Sequence, residues 1–238
     1  MPTPSAPRPD LLRLDYDTYR ALPAVANSDL SRLRDALDGR PARAQSSAND
    51  GALSFGTAFH TALLEPDDYV AGQPGLNDTL VWWLVDGVKM DTRLNELLAV
   101  GRPEMSALFT EPETDTLCKL RADLIVDNPE HPFTIIDFKT TMARDADHFL
   151  WQCSAYDYDR QAAFYTDALQ AERFLLVGVQ KVEPFGVFTI EVSPQMLAEG
   201  RQKYQRLLRL LKAPATAPAY RADAVQAAVD ALGLGPEE

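Results

Sequence analysis

Three residues near the middle of the chain have types and spacing that suit a hard metal ion: Asp123, Asp137 and Lys139. Side chains alternate across a β-strand, so Lys119, Arg121 and Asp123 share one face, and on the next run Phe133, Ile135, Asp137 and Lys139 share one face. A hairpin folded about Glu130 sets Asp123 directly opposite Asp137, with Cβ atoms about 5 Å apart. Like charges so placed are destabilising, which implies either a raised pKa on one carboxyl or a cation between them. Mg²⁺ or Mn²⁺ is the simpler answer, because both take carboxylate, carbonyl and water oxygens. Lys139, two residues beyond Asp137, then stands beside the same cation, where an ammonium stabilises developing negative charge.

The elements that must position these groups follow from periodicity. Strands are predicted over 106–110, 117–126 and 133–139, the last two joined by the turn formers Asp127-Asn128-Pro129-Glu130-His131-Pro132. One helix over 143–169 and two strands over 173–180 and 185–192 complete a β-β-β-α-β-β block. A helix over 194–212 follows from Tyr204, Leu207, Leu208 and Leu211 at i, i+3, i+4 and i+7. Ahead of the block, two short helices are expected over 16–22 and 28–33, with Asn27 or Ser28 as N-cap. A polar loop over 40–50 precedes a helix of about three turns that contains His60 and ends at Pro66. Residues 70–80 read as loop, and 81–100 as mostly helical, broken at Gly101-Arg102-Pro103. The expected organisation is a flexible leader (1–14), a single domain (15–213) whose helical part (15–103) precedes a sheet-bearing core (104–213), and a tail (214–238) with a weak helix near 222–232.

Composition narrows the function class. With 46% hydrophobic and 24% charged residues in 238, this is ordinary globular material. The longest apolar runs, 80–85 and 174–179, fall far short of the roughly 20 residues a membrane-spanning helix needs. Residues 1–10 lack the apolar region of a secretory signal, so a cytoplasmic protein is expected. Two cysteines, Cys118 and Cys153, match no disulfide or zinc pattern. The net charge of −12 argues against a long nucleic-acid grip. The seven Arg and seven Asp of residues 1–50 cancel, so the acidic excess lies beyond them.

Several blocks, in order, resemble the phage and prophage exonuclease VIII (RecE-like) family of the PD-(D/E)xK nuclease superfamily. They are Asn27-Ser28-Asp29-Leu30, Gly56 to Pro66 with His60, Cys118-Lys119-Leu120-Arg121-Ala122-Asp123, Ile136-Asp137-Phe138-Lys139-Thr140-Thr141, and Tyr158-Asp159-Arg160-Gln161-Ala162-Ala163-Phe164-Tyr165. The likeness runs from about residue 26 to about 211. It implies an α/β, restriction-endonuclease-like core with a central mixed β-sheet flanked by helices. It further implies a Mg²⁺- or Mn²⁺-dependent exodeoxyribonuclease that degrades linear double-stranded DNA 5′→3′. The 3′ overhang would pass to a single-strand-annealing recombination protein, and the enzyme would form a homo-oligomeric ring. Carried over by residue, Asp123, Asp137 and the Phe138 carbonyl are metal ligands, and Lys139 orients or helps deprotonate the attacking water. Glu104 matches an additional acidic position, His60 a nitrogen ligand, and Gln161 and Tyr165 a Q-x-x-x-Y pair aimed at the site. Lys119, Arg121, Thr140, Thr141 and Arg160 are candidate DNA contacts. Relative to that family, residues 70–100 are shortened and lack a basic stretch, Ala122 replaces a proline, and Asp115 replaces a turn glycine.

Each assignment has a plainer alternative. Asp137 and Lys139 alone could be a salt bridge at a strand end, and His60 a satisfied core histidine. Gln161 and Tyr165 could simply pack. The acid-free run Arg201, Lys203, Arg206, Arg209, Lys212 reads as a DNA-facing strip or as a solvated helix face. Trp82 and Trp83 could stack bases or be buried. Two further functions stay open: a catalytically silent DNA-end- or protein-binding module, and a nuclease of other polarity or an endonuclease on branched or single-stranded DNA.

Overall fold

A computed structural model describes residues 8–39 and 47–212, with side chains from residue 54 onward in the second stretch. Most of the expected leader, residues 40–46 of the polar loop, and the tail with its weak helix lie outside the described residues. In chain order the elements are β1 (Leu12–Arg13), α1 (Tyr16–Ala21), α2 (Asn27–Leu37), α3 (Ser47–Leu64), a 3₁₀ turn (Pro66–Asp68), α4 (Asp78–Met90), α5 (Thr92–Val100), β2 (Arg102–Glu111), β3 (Thr116–Val126), β4 (Thr134–Thr141), α6 (Ala146–Ala155), α7 (Tyr158–Leu169), β5 (Arg173–Gln180), β6 (Val187–Glu191) and α8 (Pro194–Lys212). None of the described helices is long and apolar enough to cross a membrane.

Short polar side chains set the helix starts. Asp15, Asn77, Asp91 and Asp145 each accept a backbone N–H three residues on, satisfying a donor that helical bonding leaves orphaned. Helix α2 departs from expectation. Its N-cap is Ala26, not Asn27 or Ser28, and the Asp29 carboxylate reaches back to the Ala26 N–H at 2.7 Å. Two expected single helices are each a pair. Asp91 ends α4 and caps α5, and Asp157, in the left-handed region at φ 57°, separates α6 from α7.

Among the described residues the strands form one mixed sheet in the order β1-β2-β3-β4-β5-β6, antiparallel except for the parallel pair β4–β5. Helices α3, α4 and α5 cover one face, packing Phe59, Val81, Leu84 and Val85 on Ile136, Phe138, Leu175 and Val177. Helices α2, α6, α7 and α8 cover the other, with Leu30, Leu33, Phe149, Phe164 and Leu208 against Leu120, Ile135, Phe174 and Leu176. Strand β4 is thus apolar on both faces, as a parallel-sheet strand covered twice must be. Thr134–Phe138 is buried without a break, and Asp137 lies inside that run. Two glycines permit the close approaches. A Cβ on Gly178 would lie 2.7 Å from the Phe149 ring, and one on Gly200 would lie 2.0 Å from the Asp159 carbonyl oxygen where α8 crosses α7.

Strand β3 changes face at Asp123. Leu120, Ala122 and Ile125 pack on the α7 side, whereas Leu124 and Val126 pack on the α3 side. Across from it on β2, Glu104 has φ 54°, a conformation that costs a residue with a Cβ about 1–2 kcal/mol. The β2–β3 pairings Pro103↔Leu124 and Met105↔Ala122 flank this break. The kink turns both carboxylates toward helix α3.

Candidate metal centre

His60, on α3, and Glu104 and Asp123, on facing strands, each offer a ligand atom, and these atoms all lie within 4.8 Å of one another. All three side chains are mostly buried. His60 Nε2 lies 2.9 Å from the Phe138 carbonyl oxygen. A carbonyl only accepts, so Nε2 carries the proton and Nδ1 of the neutral ring presents a lone pair. That lone pair faces Asp123 Oδ2 at 3.5 Å. Two acceptors facing each other are reconciled by a shared proton or by a cation, and an imidazole nitrogen with two carboxylates fits a divalent one.

The electrostatics agree. Burial pushes the Asp123 carboxyl up to about 7, and the neighbouring Asp137 adds to the shift. Burial, then Asp123, raises Glu104. Burial, then the Lys139 ammonium, lowers His60 and keeps its ring neutral. Asp123 is held in place by the Phe138 N–H, which donates to Oδ2 at 2.8 Å.

Asp137 and Lys139 stand beside this triangle. The β3–β4 ladder pairs Leu124↔Ile136, Ile125↔Ile135 and Val126↔Thr134, the register that sets Asp123 across from Asp137. Asp137 Oδ1 accepts from Gln161 Nε2 at 2.6 Å, and Oδ2 lies 2.6 Å from Lys139 Nζ. Both its oxygens therefore face protein groups, and Asp137 lies outside the donor triangle. Burial works to lower the Lys139 pKa, but Asp137 and Asp123 outweigh it and hold the ammonium above its ordinary range. Its Nζ also sits 5.1 Å from the centroid of the Tyr158 ring. Gln161 reaches the site from α7, while Tyr165, one turn on, donates instead to the Arg121 carbonyl at 3.1 Å. Tyr165 is thus a brace for β3 rather than a group at the carboxylates.

The expected DNA contacts are placed differently. Lys119 is buried and donates to the carbonyls of Tyr19, Arg20 and Leu22 at 3.1, 3.1 and 2.7 Å, capping the C-terminal end of α1. It offers nothing to a phosphate. Arg160 is equally buried, bonded to Asn27 Oδ1 at 2.9 Å, to Asp157 Oδ2 at 3.0 Å and to the Ser31 hydroxyl. Thr141 is buried and donates to Gln152 Oε1 at 2.6 Å, and Thr140 is half-buried under Gly56. Arg121 Nε binds Glu104 Oε2 at 2.6 Å. The basic run on α8 is not a free strip: Arg201 pairs with Asp167, Lys203 with Asp157 and Asp159, and Arg209 with Glu113. Trp82 packs edge-on against Tyr69, and Trp83 lies against Phe185. The sequence motifs do not announce the Arg121–Glu104 pair or the approach of Tyr158 to Lys139. Shared strand face with Asp123 was the available signal for Arg121, and nothing in the spacing pointed to Tyr158.

One solved structure of similar fold agrees with this architecture. A candidate exonuclease from Eubacterium rectale is similar over 83% of this chain and 86% of its own, with a TM-score of 0.60 and 16% identity. A phage-related exonuclease from Haemophilus somnus 129PT aligns over 89% of this chain and 95% of its own, at 15% identity and a TM-score of 0.40. At such identities the first likeness speaks to fold alone. No curated protein matches the chain. Residues 82–219, more than half of the sequence, match the family described as PDDEXK-like domain of unknown function (DUF3799), and the chain belongs to that family.

Proposed function

We propose that the protein is a divalent-metal-dependent exodeoxyribonuclease acting on linear double-stranded DNA. The observation that carries this reading is the donor triangle of His60, Glu104 and Asp123, set beside the Asp137–Lys139 pair. When bound, a divalent cation supplies the charge neutralisation and polarised water that phosphodiester hydrolysis needs. The chain's own groups do the rest. His60, Glu104 and Asp123 hold the ion, with Asp137 as the further carboxylate of the site. Lys139 stays protonated and offers fixed positive charge where the scissile phosphate gains negative charge. Gln161 fixes Asp137, and the Phe138 N–H fixes Asp123.

The polarity, 5′→3′ with a 3′ overhang, the annealing partner and a ring assembly rest on resemblance to the RecE-like family. A ring would let an acidic exterior enclose a more favourable channel. A monomeric mass in light scattering would argue against it. The silent-module reading is favoured by one observation: much of the described basic surface on α8 is spent on acidic partners.

The test is incubation with linear duplex labelled at one 5′ end, in Mg²⁺, in Mn²⁺ and in chelator, beside Lys139→Ala. Metal-dependent release of labelled nucleotide, lost in the variant, supports the proposal and its polarity. Release only from a 3′ label would keep the nuclease and reverse the polarity. Intact duplex in both metals, from folded protein, would favour the silent module.

A further inference from the structure

We propose that Arg121 is a positioning residue of the metal centre, acting through Glu104. The inference rests on the reading of His60, Glu104 and Asp123 as a cation site. Arg121 follows Lys119 on the same strand face, yet the two do unrelated things. Lys119 is spent on a helix end, whereas the Arg121 guanidinium lies between two glutamates, with Nε 2.6 Å from Glu104 Oε2 and Nη2 4.0 Å from Glu65 Oε2. A third arm donates to the Leu14 carbonyl just beyond β1. From its other side, the Arg121 backbone carbonyl is held by the buried Tyr165 hydroxyl. Arg121 is therefore held at its backbone by Tyr165 and at its guanidinium by Glu104 and Leu14, and its side chain is mostly buried.

Glu104 needs such a support. Its backbone is in the left-handed region, opposite Asp123 at the point where the β2–β3 pairing lapses. Two buried carboxylates there repel each other, and among the described residues the side-chain hydrogen bond that holds Glu104 comes from Arg121. Arg121 engages Oε2, which leaves Oε1 for a cation shared with His60 and Asp123. It also supplies a permanent positive charge that tolerates the pair when no ion is bound. A planar guanidinium anchored elsewhere by Leu14 can hold one carboxylate oxygen in a set direction, and a lysine ammonium cannot reproduce that fork. Outer groups of this kind typically govern metal affinity by 10–100-fold.

The test is Mn²⁺ titration calorimetry on wild type, Arg121→Lys, Arg121→Met, Glu104→Gln and the double variant Glu104→Gln/Arg121→Met, with metal-free thermal melts on each. Weaker Mn²⁺ binding in Arg121→Lys and Arg121→Met, by about tenfold, is expected. In the Glu104→Gln background the Arg121 change should cost nothing further, because the group it acts through is gone. A purely structural Arg121 would lower the melting temperature without that dependence on Glu104. Should Arg121→Met not fold, Arg121→Lys reads the same affinity. Mn²⁺ affinities within twofold of wild type, or losses that multiply in the double variant, overturn the proposal while leaving the centre intact. A wild type that takes up no Mn²⁺ overturns the centre and this inference together.

Discussion

Two buried charged clusters flank the same sheet, and they are neutralised differently. At the junction of α2, α7 and α8, Asp157 and Asp159 meet Arg34, Arg160 and Lys203, with Asp35 beside Arg34. Acids and bases balance there. Burial pushes Asp157 up, but Lys203, Arg160 and Arg34 outweigh it and hold the carboxyl below its ordinary range. At the centre formed by α3, β2, β3 and β4, the carboxylates Glu104, Asp123 and Asp137 meet, among the described residues, Arg121 and Lys139 as their basic partners, beside a neutral His60. There the Asp123 carboxyl rises to about 7. A cluster built for stability carries its own counter-ions, whereas a cluster short of positive charge is built to receive it.

The largest expected effect breaks the balanced cluster. Arg160→Met leaves Asp157 buried with less compensation and should cost about 3–5 kcal/mol of stability, read by urea unfolding. A change below 1 kcal/mol would mean that the cluster is looser than its geometry. At the other cluster, Asp123→Asn should cut DNA cleavage by more than about a hundredfold, beyond the 10–100-fold typical of groups that only support ligands, and the metal-free fold should not lose stability.

The two clusters should also answer pH with opposite signs. Asp123 has a folded value near 7 against an ordinary 3.8, so ionising it costs the metal-free fold. Stability in chelator should fall as pH rises from about 4 to about 7, and Asp123→Asn should flatten that limb by roughly 3–6 °C in melting temperature. Asp157 is held low, so its contribution is present above the usual carboxylate range and lost as pH falls through it. Asp157→Asn should therefore flatten only the acid limb. Thermal melts from pH 3 to 8 read both, and identical profiles for the two variants would erase the distinction. Excess Mn²⁺ should remove the Asp123 limb alone.

Smaller effects sharpen the picture. Gln161→Ala removes the donor to Asp137 Oδ1 and should lower cleavage about tenfold with a melting temperature close to wild type. Arg209→Ala breaks an exposed pair with Glu113 and should change stability by less than about 1 kcal/mol, with DNA affinity unaltered in filter binding done in Ca²⁺. A large loss of DNA affinity would restore the DNA-facing reading of α8.

Much of this was legible in the chain. The alternation in 117–126 and 133–139, with turn formers between, carries the hairpin register that brings Asp123 across from Asp137. Periodicity carries α8, and apolar runs carry β4 and β5. What alternation could not carry was the kink. The face change at Asp123 depends on Glu104 taking φ 54°, a tertiary outcome with no glycine or proline at that residue to announce it. The fates of Lys119 and Arg160 were hidden for a related reason: a basic residue near a site reads as a phosphate contact until its partners are known. Their partners, Tyr19, Arg20 and Leu22 for one, and Asn27 and Ser31 for the other, lie between 97 and 133 residues away in sequence. The split of α6 from α7 is not announced by the sequence, because Tyr156 and Asp157 are compatible with a helix and it is the left-handed Asp157 that breaks it.

The central claim is that the under-neutralised cluster receives a divalent cation. Its most direct test is an anomalous difference map from crystals grown with Mn²⁺ at neutral pH. The account predicts one strong peak bounded by the His60 ring nitrogen and the carboxylates of Glu104 and Asp123, absent in Asp123→Asn. A peak confined to other acidic residues, or none at saturating Mn²⁺, would contradict it.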